Sequence, residues 1–325
     1  MKERKVLLLI AMLMASGCGG VSSSALSDSV YESIASMGMS SSSSSTESSS
    51  STAAHSSSVS STSVGSSFVL PEIDGSDLPQ SVKNYYSGIN FSQSGAALKT
   101  SLHNKINSHK SLGYNNLNGY YPQTDAREDG TIWDMYSNVR WNFNTKVCGN
   151  YKNEGDCWNK EHSIPQSWFN EQSTMKCDIF HVYPTDGKVN GMRSNYPFGE
   201  VGKATYTSQN GSKKGNSSFP GYSGIVFEPI DEYKGDFART YFYFATCYQK
   251  NSITNGKEAQ VAFQSGTYPT LTQYSINLFL KWSEMDPVSE KEINRNNAAY
   301  ACQQNRNPFI DFPNLEQRIW GMLRK

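Results

Sequence analysis

Two stretches of this chain carry side chains suited to phosphodiester hydrolysis: Trp158–Pro165, where Glu161 and His162 are adjacent, and Asp178–Asn195, which holds Asn190 and Arg193. An imidazole is the natural proton acceptor near neutral pH, so His162 could deprotonate an attacking water. Glu161 and Asn190 offer the oxygen donors that hard cations such as Mg²⁺, Mn²⁺ or Ca²⁺ take. Such a cation stabilises charge building on the phosphate and on the leaving oxygen. Arg193 adds a permanent positive charge fitted to a phosphate. Each residue type also has a plainer use: a satisfied histidine, a surface carboxylate, a helix N-cap asparagine or an ion-paired arginine. Three further residues stand beside this set. Asp178 is placed to orient a neighbour, His181 to hold the sheet or contact nucleic acid, and Arg239 to form an ion pair or act near the site.

These side chains need elements to converge them. Residues 110–235 are rich in Gly, Asn, Pro, Tyr and Asp. They read as loops with short strands at Lys160–Ile164 and Ile179–Tyr183 and a short helix beginning near Asp186–Val189. On an ideal strand neighbours face opposite ways, so Glu161 and His162 can serve one phosphate only where the strand ends and twists. Helical periodicity is clearer elsewhere. Leu98, Leu102 and Ile106 recur behind a possible cap at Ser94. Phe237, Tyr241, Phe244 and Tyr248 form an apolar face on Asp236–Tyr248. Tyr274, Leu278 and Trp282 precede Asp286-Pro287, which stops the run. Ser289-x-x-Glu292 is a capping-box pattern opening Glu290–Gln303, and Leu315, Ile319 and Trp320 suggest a last helix. No internal repeat or second boundary is visible, so residues 68–325 read as one α+β domain, largely helical, with long loops.

Of the 325 residues, 12% are aromatic and 18% charged, which suits a packed domain. Lys plus Arg equals Asp plus Glu, 29 each. Strong non-specific nucleic-acid binders are often basic, so any nucleic-acid affinity here must come from charge local to a cleft. Lys2, Arg4 and Lys5, the apolar run Val6–Met14 and small residues before Cys18 read as an export signal over 1–17, too short to span a membrane. Residues 18–67 are dominated by serine and read as a flexible linker, with a coil span on the order of 40 Å. His55 lies within it and has no evident role. An exported chain meets an oxidising compartment. Cys148 and Cys157 bracket a short loop and are the preferred disulfide, with Cys247–Cys302 a weaker pairing. No Cys-x-x-Cys spacing supports zinc.

The small residues before Cys18 resemble a bacterial lipobox, which implies that Cys18 is lipidated and that the protein is anchored to the cell envelope. The folded part resembles the bacterial endonuclease I family of ββα-metal, or His-Me finger, nucleases. The resemblance rests on Trp133-Asp134-Met135-Tyr136-Ser137, Glu161–Phe169, Tyr183–Gly191, Asn195–Val201, Gly235–Tyr243 and Asn305–Asp311, and runs from about residue 85 to 325. It implies a ββα-metal core with His162 as general base, Glu161 and Asn190 as ligands of one divalent metal and Arg193 on the phosphate. The implied activity is sequence-tolerant cleavage of DNA, with RNA as a further substrate, to 5′-phosphate products by a monomeric, exported enzyme. Phe180, where relatives carry a polar residue or histidine, and Cys302 depart from the family pattern. Two other readings compete: a surface lipoprotein that binds nucleic acid or glycan without cleaving it, and a metal phosphodiesterase for small molecules.

Overall fold

The computed structural model describes residues 69–325. The expected export signal, Cys18 and the serine-rich linker lie outside the described residues. Eleven α-helices are present among the described residues: α1 (Gln80–Tyr85), α2 (Gly95–Ile106), α3 (Tyr121–Thr124), α4 (Ser173–Lys176), α5 (Gly187–Arg193), α6 (Lys234–Cys247), α7 (Lys257–Ala262), α8 (Gln273–Met285), α9 (Glu290–Gln303), α10 (Pro308–Asp311) and α11 (Leu315–Trp320). Five strands form two small sheets. β1 (Trp158–His162) pairs antiparallel with β2 (Val182–Asp186), and β3 (Val201–Thr207), β4 (Lys213–Ser217) and β5 (Ile225–Glu228) form an antiparallel meander. The architecture is mixed α+β, as the sequence suggests.

The core is built around α6. Its sequence shows one apolar face, yet all 14 of its residues are buried, so the helix is enclosed on every side. It packs against α8 and α2. Tyr241 meets Phe279 at 4.4 Å between ring centroids, and Phe242 stacks on Trp320 at 5.0 Å. Enclosure leaves its polar groups to be satisfied by protein. Arg239 is therefore held by Glu292 through Nε (2.6 Å) and Nη2 (2.8 Å). The same Glu292 closes the capping box of α9, accepting from Ser289 N while Ser289 Oγ accepts from Glu292 N. In α2, Leu98, Leu102 and Ile106 are fully buried, while the Ser94 side chain makes no capping bond.

Three expectations are corrected. The first strand runs Trp158–His162 and not Lys160–Ile164, and the second Val182–Asp186 and not Ile179–Tyr183. Pro184 is accommodated inside it because β2 has a strand on one edge only. The β3–β5 meander was not individually legible, since its strands are short, polar and interrupted by irregular register. Cys148 and Cys157 are bonded, with Cα atoms 5.7 Å apart. Cys247 and Cys302 are free thiols, the first buried and the second partly exposed, so that weaker pairing does not form.

Candidate active site

β1, β2 and α5 bring the expected residues together. β1 pairs with β2 in the register Glu161↔Tyr183 and His162↔Val182. The chain then turns directly into α5. Asp186 caps this helix, its Oδ1 accepting from Lys188 N (2.8 Å) and Val189 N (3.0 Å). Asn190 is therefore free of the N-cap role. Its Nδ2 donates across to β1, to Asn159 Oδ1 (2.8 Å) and the Lys160 carbonyl (3.2 Å). That fixes the amide and leaves Oδ1 without a partner among the described residues.

Glu161 is 2% exposed. Its Oε1 accepts from Tyr136 OH (2.9 Å) and lies 3.4 Å from Arg193 Nε. Burial pushes its pKa up to about 7, against the opposing pull of Arg193 and Tyr136. Oε2 has no protein donor among the described residues. A half-neutralised carboxylate oxygen and a fixed amide oxygen, one on the strand and one on the following helix, match the donor set of a hard divalent cation.

Tyr136 is the residue the sequence argument passed over, although it lies in a quoted motif. That motif is a scaffold. Asp134, fully buried, accepts from Tyr136 N (2.7 Å), Trp141 Nε1 (3.0 Å), the Ser137 hydroxyl and Asp186 N (2.8 Å). One carboxylate thus ties the loop bearing Tyr136 to the cap of α5. The signal was present in the acidic-aromatic spacing, but its meaning depends on a contact across 52 residues.

His162 ends β1 in surroundings of its own. Its Nε2 lies 3.1 Å from the Lys176 carbonyl. A carbonyl can only accept, so Nε2 carries the proton. Burial, then the neighbouring His181, pushes the ring's pKa down to about 3, which makes it a neutral imidazole with its lone pair on Nδ1. Nδ1 has no partner among the described residues, and the side chain retains 7% exposure. Tyr114 stacks on the ring with centroids 5.7 Å apart.

Arg193 departs from the expected phosphate contact. It is 1% exposed, and its guanidinium donates to the carbonyls of His162 (3.1 Å), Ser194 (3.1 Å) and Ser163. With Glu161 at Nε and Phe198 beneath it, this cation clamps the end of β1 from inside the protein. His181 is also interior: its Nε2 donates to the Met175 carbonyl (2.6 Å), and its ring centroid is 5.5 Å from that of His162. Asp178 holds Tyr243 OH (2.8 Å) and Tyr248 OH (2.7 Å), so the neighbours it orients are tyrosines of the core. Arg239 sits in its ion pair with Glu292 and joins none of these groups.

His109, Asp178 and Cys247 form a second group with possible metal-ligand atoms within 4.8 Å of one another. It is better described as a hydrogen-bond network. Asp178 already accepts from four donors, two of them Phe180 N (2.9 Å) and Gln303 Nε2 (2.8 Å). His109 Nε2 is engaged by Tyr248 OH (2.9 Å). Burial pushes the Cys247 thiol well up, so it stays protonated and a poor ligand.

Comparison with known proteins places this chain in a family. Residues 94–314 match the family model described as Endonuclease I. The chain is 31% identical over 266 residues to an extracellular ribonuclease of Bacillus amyloliquefaciens, covering 80% of this chain and 86% of that protein. It is 33% identical over 241 residues to an extracellular ribonuclease of Bacillus subtilis (strain 168), covering 73% and 78%. An Endonuclease-1 of Buchnera aphidicola subsp. Baizongia pistaciae is 26% identical over 195 residues, covering 59% and 66%. The match spans the hairpin, its helix and the motif around Tyr136, and the chain belongs to the Endonuclease I family.

Proposed function

We propose that this protein is an exported, metal-dependent nuclease that hydrolyses phosphodiester bonds of RNA and DNA without sequence preference, leaving 5′-phosphates. The observation that carries the reading is the paired arrangement at the end of β1. His162 has its proton fixed on Nε2 by the Lys176 carbonyl, and Asn190 has its Nδ2 fixed by β1, so one free lone pair and one free amide oxygen belong to the same hairpin-helix unit. This unit is the one we assign as a ββα-metal core.

In this reading Nδ1 of His162 takes the proton of the attacking water. Its depressed pKa keeps the ring unprotonated and ready at neutral pH. Tyr114 and the Lys176 carbonyl hold the ring against rotation. Glu161 and Asn190 would hold a divalent cation, Mg²⁺ or else Mn²⁺ or Ca²⁺, which when bound stabilises charge on the phosphate and the leaving 3′ oxygen. Arg193 and Tyr136 hold Glu161 in place and partly balance its charge. Two relatives are named extracellular ribonucleases and one Endonuclease-1, names that support RNA as a substrate and internal cleavage of the strand. We further propose attachment to the envelope through lipidated Cys18, with the catalytic domain acting as a monomer.

The test is cleavage of supercoiled plasmid and of single-stranded RNA with Mg²⁺ and with EDTA, beside His162→Ala. Metal-dependent cleavage by the parent and none by a normally melting His162→Ala is expected. A folded protein that binds nucleic acid but cleaves neither substrate with Mg²⁺, Mn²⁺ or Ca²⁺ would leave a non-catalytic binding protein.

A further inference from the structure

If Arg193 is committed to the interior, another group must meet the substrate's negative charge. Lys160 stands two residues before His162 on β1, hence on the same face of the strand. Its Nζ lies 4.8 Å from the centroid of the Tyr114 ring, the ring that also stacks on His162. Lys176 approaches the same ring at 5.0 Å, but it is already paired with Glu171 at 2.6 Å. Lys160 has no carboxylate within ion-pairing distance and no hydrogen-bond acceptor for its ammonium among the described residues. It is half-buried. A partly desolvated cation kept without a counter-charge beside a proton acceptor is a place for an anion from outside.

We propose that Lys160, held by Tyr114, forms a subsite for the backbone phosphate next to the one being cleaved. Two residues along a strand span about 6.7 Å, comparable to the step between neighbouring phosphates of an extended nucleic-acid strand. Tyr114 serves both groups at once. It keeps the His162 ring in its plane and confines the lysine ammonium by a cation–π contact. Gly113, at φ +75°, sets the turn that delivers Tyr114, a left-handed conformation glycine adopts without strain. The inference rests on the nuclease reading above, because it assigns a second phosphate of the same substrate.

The experiment separates binding from chemistry. Affinity of the His162→Ala protein for a single-stranded oligonucleotide is measured across salt concentrations, with and without Lys160→Met. Removing one phosphate contact is expected to flatten the slope of log K against log salt by about 0.7. In the active protein Lys160→Met is expected to raise KM roughly tenfold with kcat little changed, and Lys160→Arg to restore KM. Lys160→Gln provides the same comparison should the methionine variant melt early. Tyr114→Leu is expected to lower kcat as well, since it releases His162. Wild-type cleavage with an unaltered salt slope and KM in both Lys160 variants would overturn the subsite alone. Absence of cleavage by the wild type under every metal would overturn the nuclease reading and the subsite with it.

Discussion

Arg193 shows how residue type and residue environment part company. An arginine three residues after Asn190, the proposed metal ligand, invites assignment to a phosphate, because guanidinium and phosphate fit so well. In the structure its Nη1 and Nη2 donate to backbone carbonyls and its Nε faces Glu161 at ion-pair distance, in a place solvent does not reach. The two assignments predict different variants. A phosphate clamp would lose activity at constant stability. An interior clamp would lose stability, because its removal strands a buried carboxylate and several carbonyls. Arg193→Met is therefore expected to destabilise the fold by about 3–5 kcal/mol, read as a large drop in melting temperature. A variant that melts normally but has lost phosphate affinity would restore the original assignment. His162, Glu161 and Asn190 are the opposite case. Their proposed chemistry was read from type and order alone, whereas the free lone pair on each is a product of neighbours no local pattern contains.

At the scale of elements, α6 explains why so much of the chain is constrained far from the hairpin. Its first turn lies against the end of α8, and Gly235 is there because nothing larger fits. A Cβ at this position would come within 2.0 Å of the Asp286 carbonyl oxygen and 2.6 Å of Arg239 Nη2. The first of these is backbone and cannot rotate away. Gly235→Ala is expected to cost about 1–3 kcal/mol by overpacking, measurable by denaturant unfolding. An unchanged midpoint would mean that the α6–α8 junction yields more easily than the geometry suggests. The periodic helices, α2, α8 and α9, were readable because each has a stripe or a cap that local physics dictates. The β3–β5 meander was not, since short polar strands acquire their identity from pairing partners.

Across the whole molecule, balanced charge hides strong local fields. Asp236, Asp286 and Glu292 crowd around Arg239 and Lys291 near the start of α6. Burial first, then Asp236, pushes the pKa of Asp286 from 3.8 up to about 7. A raised folded-state value means that the protonated acid favours folding. This contribution is present below the ordinary value of 3.8 and is lost as pH rises through about 7. Asp286→Asn keeps an acceptor for Gly235 N and removes the charge. It is expected to stabilise the protein at pH 8 by about 1 kcal/mol, less than the full shift implies because solvent reaches the group. That gain should shrink as pH falls through about 7 and vanish only below 3.8. Melting curves from pH 8 downward check this, and a pH-independent difference would sink it.

What this chain's sequence determined by itself was the inventory. It contained a candidate base, two candidate oxygen ligands, their order, the hairpin-helix unit that carries them, the periodic helices and the Cys148–Cys157 bridge, because each depends on residue type and on neighbours a few positions away. Tertiary structure alone decided which arginine faces inward, that Tyr136 steadies Glu161, that the Lys176 carbonyl sets the tautomer of His162, and that Lys160 is left without a counter-charge among the described residues. Those outcomes follow from burial and from contacts between residues distant along the chain. Desolvation and hydrogen-bond geometry, which set the chemistry of each group, exist only once the chain has folded.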